Sequence, residues 1–302
     1  MHTKAFPYIG LLSLFWGTNI VASRFGVGEF DPYLFIALRL SIATLCFALI
    51  FFLRGGQLPR EKRIWQYAAI SGFLGVSIPM TSFILSLQYQ SSGVASIFVT
   101  TAPAQIVIAA HFFLPDEKMT RNKAIGVLLA LCGSFFLALR GESGLSGVGR
   151  ASPLGFALVM VGLLSETINA MFIRLRMRGM DPLAVTGIRL FTGAIIVIMA
   201  AFFLADLSFA QITAAGYFSL FYAAIIGALA GQFMAFYITG RFGATAFSLT
   251  SYFIPIVATG FGVLLLGEIV TWGMLVGVLL VFGGLYLINR SPRPVAAEVA
   301  AD

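Results

Sequence analysis

Ten long apolar runs follow one another along the chain, separated by short polar or Gly/Pro-containing segments. The runs cover residues 5–23, 32–53, 64–87, 93–114, 124–139, 153–173, 182–205, 214–239, 244–266 and 272–288. A helix that crosses a bilayer needs about 20 mainly apolar residues, at a rise of about 1.5 Å each. The fifth and tenth runs are shorter, and each can extend by a turn. The pattern therefore predicts an all-α integral membrane protein with ten transmembrane helices.

The composition agrees with a lipid environment. Residues of the set AVILMFWYC make up 59% of the 302-residue chain, and charged residues make up 10%. A soluble domain carries about 25% charged residues, so this chain cannot cover a soluble surface. The net charge of +7 does not indicate nucleic-acid binding, because the basic residues are scattered between apolar runs. Cys46 and Cys132 lie inside apolar runs, which favours buried thiols over disulfides.

The distribution of Lys and Arg predicts an orientation. When the loops are assigned alternately to two sides, fourteen of the nineteen basic residues share the side of the N-terminus and three lie opposite. Arg39 and Arg189 fall inside runs. Loops rich in Lys and Arg stay in the cytoplasm. We therefore expect a multi-pass protein of the cell (inner) membrane, with both termini in the cytoplasm and a cytoplasmic tail at 292–302.

The two halves of the chain repeat each other. At an offset of 150 the matched positions include Asn19 with Asn169, Arg24 with Arg174, Asp31 with Asp181, and Arg39 with Arg189; at 151 they include Glu117 with Glu268, Gly126 with Gly277, and Gly133 with Gly284. Each repeat holds five runs, an odd number, so the second copy must enter the membrane inverted. Inverted repeats are typical of secondary transporters. The sequence thus predicts two inverted five-helix repeats at 1–147 and 148–291.

Several segments, in this order, resemble those of EamA-type proteins of the drug/metabolite transporter superfamily. They are Leu-Phe-Trp-Gly at 14–17, Ala-Leu-Arg at 37–39, Gly-Ala-Thr at 243–245 leading to Pro255, and Leu-Gly-Glu at 266–268 followed by Thr271 and Gly277. The Pro-Asp-Glu at 115–117 departs from the family's usual Gly-Glu. The resemblance implies efflux or exchange of small metabolites, such as amino acids, or of amphipathic drugs and cations. It also implies a central cavity lined by helices 1, 3, 4, 6, 8 and 9, with helices 5 and 10 peripheral.

Polar side chains inside the apolar runs are the candidate binding residues. Glu166 is the one acid deep in a run, and Asn169 lies three residues later, on the same helical face. Glu166 either binds a substrate amine or a proton, or stays neutral or paired to an arginine and locks helices together. Asn19 occupies the position equivalent to Asn169, and Trp16 precedes it by three residues. Trp16 lies too deep for an interface anchor, so we expect it to form a stacking wall for substrate.

Arg39 and Arg189 are repeat mates that each lie about 10 Å inside a run, from the helical rise. Either they clamp a substrate carboxylate, or they bond backbone carbonyls and neighbouring helix ends. We favour the second interpretation, and assign both as structural intramembrane charges.

Three prolines are candidate kinks or gates: Pro79, Pro103 and Pro255. Each removes a backbone donor and so frees the carbonyl four residues earlier. Nearby hydroxyls could bind substrate or satisfy those carbonyls. The predicted substrate-binding set is Trp16, Asn19, Ser82, Thr100, Glu166, Asn169, Gln232, Ser251 and Tyr252.

The sequence contains no phosphate-binding loop, only two histidines, His2 and His111, and no Ser/His/Asp arrangement. We therefore expect no enzyme activity, no cofactor and no metal. The sequence favours a secondary transporter that exports small amphipathic metabolites, amino acids first, by alternating access. Its partners would be a small-molecule substrate and the lipid bilayer, without nucleic acid, as a monomer or homodimer. The alternatives are a drug or organic-cation efflux carrier and, in other classes, an intramembrane enzyme, a flippase-like protein or a channel.

Overall fold

The computed structural model describes residues 4–114, 117–148, 150–209 and 212–290. The predicted tail at 292–302 lies outside these ranges. Within them, ten helices are long and apolar enough to cross a membrane, as predicted. They are α1 (Phe6–Glu29), α2 (Pro32–Leu53), α3 (Lys62–Ser86), α4 (Ser92–Phe113), α5 (Arg121–Arg140), α6 (Pro153–Arg176), α7 (Pro182–Leu204), α8 (Ala214–Phe242), α9 (Ala246–Leu266) and α10 (Trp272–Arg290).

The repeat-related helices α2 and α7 begin with the same local structure. Asp31 caps α2, its carboxylate accepting hydrogen bonds from the backbone N–H groups of Tyr33 and Leu34 at 2.9 and 3.2 Å. Asp181, its repeat mate, caps α7 in the same way. A proline follows each aspartate at the first helical position, where a missing N–H costs nothing. By contrast, α1 extends well beyond the predicted end at residue 23, to Glu29.

Contacts between helix ends show that the chain crosses the bundle alternately. At the side that carries residues 4 and 290, here called the near side, the rings of Tyr8 and Tyr237 lie 5.1 Å apart. At the opposite, far side, the N–H of Ile269 donates to the carbonyl of Gly144 at 2.9 Å. These contacts join the start of α1 to the end of α8, and the α5–α6 loop to the α9–α10 loop. The first and last residues that the structure describes, 4 and 290, therefore lie on the near side.

Helices α5 and α10 cross through glycines that are repeat mates. A Cβ on Gly133 would lie 2.8 Å from the carbonyl oxygen of Gly277, and one on Gly126 would lie 2.5 Å from that of Gly284. Under the offset of 151, Gly126 becomes Gly277 and Gly133 becomes Gly284, so each contact maps onto the other. This reciprocity is what a pseudo-twofold axis between α5 and α10 requires. The all-α fold with two inverted five-helix repeats is confirmed.

The outer surface of the bundle is apolar. Large side chains such as Leu45, Phe112, Phe203 and Leu264 are exposed on the helix surfaces, with Leu264 78% exposed. No soluble monomer tolerates so extended an apolar surface, whereas lipid tails solvate it. The chain is a multi-pass membrane protein.

Two cavity-facing helices carry wide, π-helical turns at repeat-related positions. Residues Phe73–Ser77 form one in α3, and Ala223–Ala230 form the other in α8. Such turns shift the helix register and recur at functional sites. A third interruption lies in α4, where Thr100 and Thr101 form a turn just before Pro103. Pro79 follows the π turn of α3 closely, whereas Pro255 lies inside an unbroken stretch, Thr250–Leu266.

Candidate functional site

A cavity of about 340 Å³ lies within the bundle, near mid-span. This volume is within the range of small-molecule sites, about 300–1,000 Å³. Helices of both repeats line it, including the π-helical parts of α3 and α8. None of its lining residues comes from α5 or α10. Helices α2 and α7 do contribute, through Arg39 and Phe47 and through Thr186 and Arg189, so the set of lining helices implied by the resemblance was incomplete.

The lining combines a few polar side chains with large apolar ones. The polar members are Asn19, Ser23, Arg39, Glu166, Thr186, Arg189 and Gln232. The large apolar members include Trp16, Phe47, Met80, Phe83 and Phe233. A mostly apolar concavity with few convergent polar groups is the usual form of a site for an amphipathic ligand.

Asn19 and Trp16 reach from α1 of the first repeat to α8 of the second. Asn19 packs against Gly227, and Trp16 packs against Gly231; neither glycine leaves room for a Cβ. The Oδ1 atom of Asn19 is buried and has no hydrogen-bond partner. A buried, unsatisfied amide oxygen next to a cavity is poised to accept a hydrogen bond from a ligand or a water molecule.

Asn169 makes the inverse connection, from α6 of the second repeat to α3 of the first. It packs against Gly75, again without room for a Cβ, and its Oδ1 accepts a hydrogen bond from Ser71 Oγ at 2.7 Å. Asn169 is buried and is not among the cavity-lining residues. Glu166, three residues earlier, has an exposed side chain that lines the cavity. Although the two residues are three positions apart on one helix, Glu166 therefore borders the cavity and Asn169 packs between helices.

The two intramembrane arginines both line the cavity but have different neighbours. Arg39 is 3% exposed, and its Nη1 donates to Ser23 Oγ at 3.0 Å. Arg189 lies close enough to Glu166 for the two opposite charges to attract. The Nε of each guanidinium is buried without a partner. A charge inside a membrane costs about 2.5–3.5 kcal/mol on insertion scales, so each arginine needs compensation.

Five of the predicted binding residues lie outside the cavity lining: Asn169, Ser82, Thr100, Ser251 and Tyr252. Thr100 Oγ1 donates to the carbonyl of Ser96 at 2.8 Å and approaches that of Ser251 at 3.3 Å. The Ser251 carbonyl is the one that Pro255 frees, so Thr100 of α4 partners the proline-containing part of α9. Tyr252 OH accepts a hydrogen bond from Asn289 at 3.3 Å.

Among the three prolines, only Pro79 lines the cavity. The sequence analysis did not single out several other lining residues, among them Ser23, Thr186 and Phe47. Ser23 could have been found, because it lies four residues after Asn19 and so shares its helical face. Phe47 and Thr186 carry no signal of their own in runs where apolar and small polar residues are common.

The far side of the bundle is held by a buried carboxylate. Glu268, which follows α9, is 6% exposed. It accepts hydrogen bonds from the backbone N–H and the Oγ of Ser92 at 2.8 and 2.6 Å, and so caps the start of α4. A negative charge is favourable at a helix N-terminus. Arg24 is near enough to attract the same carboxylate.

The mates of these residues are arranged differently on the near side. Glu117, the mate of Glu268, forms an ion pair with Arg174, the mate of Arg24. The side chain of Glu117 is 41% exposed. The far-side carboxylate is thus buried against a helix start, whereas the near-side carboxylate lies at the surface.

Throughout the described part of the chain, no group of three or more His, Cys, Asp or Glu side chains is arranged to hold a metal ion. The polar groups at the cavity are amides, hydroxyls, guanidiniums and one carboxylate, which suit hydrogen bonding to an organic solute.

A family model for EamA-like transporters matches residues 4–139 and again residues 153–290. The chain belongs to the EamA-like transporter family. The double match agrees with the two copies of the five-helix unit seen in the fold. As a family member, the protein is a membrane transporter.

Curated relatives resemble the chain over nearly its full length. A protein named uncharacterized transporter YoaV from Bacillus subtilis is 27% identical, and the match covers 92% of this chain and 95% of that protein. The uncharacterized inner membrane transporter YedA of Escherichia coli is 24% identical, with coverage of 96% and 94%. A solved crystal structure shares the fold with a TM-score of 0.65 at 18% identity, over 94% of this chain and 97% of that one.

Proposed function

We propose that this EamA-family transporter is a secondary transporter that exports small amphipathic metabolites, amino acids first, by alternating access. The observation that carries the proposal is the cavity between the repeats, which combines charged and amide groups with an apolar wall. Transporters built from inverted repeats bind their substrates near the midplane, where the repeats meet.

The polar groups of the cavity match both ends of an amino acid. The arginines offer donors for a carboxylate, and the oxygens of Asn19 and Glu166 offer acceptors for an ammonium group. Trp16, Phe47 and Phe83 supply a wall for the side chain. An organic cation would place its charge beside two arginines and one carboxylate, so drug-cation efflux is the less favoured reading.

The unequal use of mated residues at the two sides supports alternating access. Glu268 ties the α9–α10 loop to the start of α4, which favours a closed far side. Its mate Glu117 is engaged only at the surface, with Arg174. An exchange of these two arrangements between the repeats would close the near side and open the far side. The repeats that exchange would be the units at 1–147 and 148–291.

The near side would face the cytoplasm under the positive-inside rule, because the near-side loops carry most of the Lys and Arg residues. The protein would then lie in the cell (inner) membrane, in line with its relative YedA, which is named an inner membrane transporter. Substrate would enter from the near side and leave at the far side.

Reconstitution into liposomes tests the proposal. Vesicles preloaded with one unlabelled amino acid should accumulate the same labelled amino acid transiently, with saturation. The panel would include aromatic, aliphatic and polar amino acids and a set of organic cations. Counterflow of cations without counterflow of any amino acid would favour the drug-efflux alternative. Uptake without saturation or counterflow would indicate a channel.

A further inference from the structure

We infer that Arg39 is the specificity-determining site for the substrate's anionic group, and that Glu166 offsets the charge of its repeat mate Arg189. The inference deepens the proposed function, because it rests on the cavity being the substrate site. It separates two residues that sequence symmetry treats as equivalent.

The cavity lining carries more positive than negative side chains. It includes two guanidiniums, Arg39 and Arg189, and one carboxylate, Glu166. With all three ionised, the lining carries one excess positive charge. A bound monoanion, or the carboxylate of a zwitterion, would supply the missing negative charge at the arginine that has none beside it.

Among the described residues, Arg39 has only a neutral hydrogen-bond partner. Its identified hydrogen-bond partner is a neutral hydroxyl, Ser23 Oγ, at 3.0 Å. Across the part of the chain that the structure describes, no carboxylate forms a direct ion pair with Arg39 or with Arg189, and the one carboxylate of the cavity lining, Glu166, attracts Arg189. The Nε of Arg39 is buried without a partner, although the side chain is 3% exposed and borders the cavity. A buried guanidinium with an open donor is complementary to a carboxylate, which can accept from it through two oxygens.

Arg189, unlike Arg39, is attracted by an acidic residue of the cavity lining, Glu166. The attraction of Glu166 offsets the charge of Arg189 within the protein. The difference follows from one pair of mated positions: the residue equivalent to Glu166 in the first repeat is Trp16. The first repeat therefore has the arginine without its acid, and an aromatic wall in the acid's place.

Asn19 strengthens the assignment. Asn19 and Ser23 are four residues apart on α1 and both line the cavity, so they share the helical face that Arg39 contacts. The Oδ1 of Asn19 is also unpartnered. Two of the three buried, unpartnered side-chain atoms that the structure describes in the cavity lining, Asn19 Oδ1 and Arg39 Nε, thus belong to the first repeat. Asn169 of the second repeat is satisfied by Ser71.

A matched set of ligands tests the inference by binding alone. Phenylacetate, phenylethanol and phenylethylamine share one apolar body and differ in charge. Their dissociation constants would be measured by calorimetry on the full chain in a neutral maltoside detergent. We expect phenylacetate to bind the wild-type protein about 10- to 100-fold more tightly than phenylethanol, as a charge-assisted hydrogen bond provides.

The variants then identify the arginine. In Arg39→Gln the preference for phenylacetate should fall toward one, and Arg39→Lys should restore part of it. In the matched variant Arg189→Gln the preference should persist. Equal affinity for the acid and the alcohol in the wild-type protein would overturn the inference, as would a preference that survives in Arg39→Gln or disappears only in Arg189→Gln.

Counterflow in liposomes separates this inference from the proposed function. Arg39-dependent binding of phenylacetate without counterflow of any amino acid would refute amino-acid transport and leave the anion site standing. Counterflow of phenylalanine with the same selectivity in wild type and Arg39→Gln would support the proposed function and refute the anion site. If Arg39→Gln fails to fold, the wild-type ligand set and Arg39→Lys still decide the matter.

Discussion

Asn169 accepts a 2.7 Å hydrogen bond from Ser71 across the boundary between the two repeats. The repeat mate of Asn169 is Asn19, and the position equivalent to Ser71 is Phe221, which has no hydroxyl. The Oδ1 of Asn19 accordingly has no partner. One exchange of serine for phenylalanine therefore gives two matched asparagines different roles: one joins helices, and the other faces the cavity.

Replacement of the two asparagines should separate stability from binding. Asn169→Ala leaves the buried Ser71 hydroxyl without its acceptor, which should cost about 1–3 kcal/mol and lower the thermal unfolding temperature. Asn19→Ala removes an amide oxygen that has no hydrogen-bond partner in the protein, so it should change stability less and weaken substrate binding. Unfolding in detergent and counterflow in liposomes measure the two effects. Equal losses of stability in both variants would contradict this distinction.

The close approach of Asn19 to Gly227 provides a second test. A methyl group at Gly227 collides with the Asn19 amide, so Gly227→Ala should displace Asn19 and reduce affinity. Gly240→Ala is the matched control in the same helix, since a Cβ there meets no atom within 4 Å. The control should fold and transport like wild type. Unchanged affinity in Gly227→Ala would show that the position of Asn19 does not matter for binding.

The crossing of α5 and α10 should be sensitive to single methyl groups. A Cβ on Gly133 would lie 2.8 Å from the backbone oxygen of Gly277, which cannot move without shifting a helix. Gly133→Ala should therefore destabilise the protein by about 1–3 kcal/mol, as overpacking usually does. The control is Gly283→Ala, because that Cβ meets open space. If both variants unfold at the same temperature, the helices are not held together by this contact.

The sequence predicted the helices and the repeats well because both depend on short-range features of the chain. Hydrophobic runs have a length that the bilayer fixes, and matched Asp31 and Asp181 mark equivalent helix starts. The reciprocal contact of Gly133 with Gly277 then follows from the repeat itself. What the sequence could not supply was the rotation of each helix about its axis, which depends on packing against distant segments.

The site shows the consequence of that missing rotation. Arg39 and Arg189 were both assigned as structural charges in helices thought to lie away from the cavity, and the structure places both in its lining. Their different neighbours, Ser23 and Glu166, lie on other helices. Similarly, the sequence left open whether Thr100 binds substrate or satisfies a backbone carbonyl. The packing of α4 on α9 places its hydroxyl beside the Ser251 carbonyl.

Cysteine labelling should establish the proposed orientation. In a background where Cys46 and Cys132 are replaced by serine, a cysteine at Val148 should react with a membrane-impermeant maleimide in intact cells. A cysteine at Gln57 should react only after permeabilisation. Both native positions are exposed, so access rather than burial decides the result. The reverse pattern would place both termini outside and reverse the proposed direction of export.

The last prediction concerns the buried carboxylate of Glu268. The carboxylate holds the start of α4 through two hydrogen bonds from Ser92, and it is attracted by Arg24. Glu268→Gln keeps the size of the side chain but removes its charge, so it weakens both the helix cap and the attraction to Arg24. The far side should then open more often, with little loss of overall fold, because the remaining loop contacts persist.

Access to Val99 measures that opening, because Val99 lines the cavity from α4. In the cysteine-free background, a cysteine at Val99 should react with an impermeant thiosulfonate from outside about tenfold faster when Glu268 is glutamine, as the loss of charge-assisted bonds predicts. Glu142→Gln is the matched control: it is a far-side acid whose ion pair, with Arg140, lies within one chain segment. It should leave the rate unchanged. Equal rates in both variants would mean that Glu268 stabilises the far-side loops without controlling access to the cavity, and the argument for alternating access would then rest on the repeats alone.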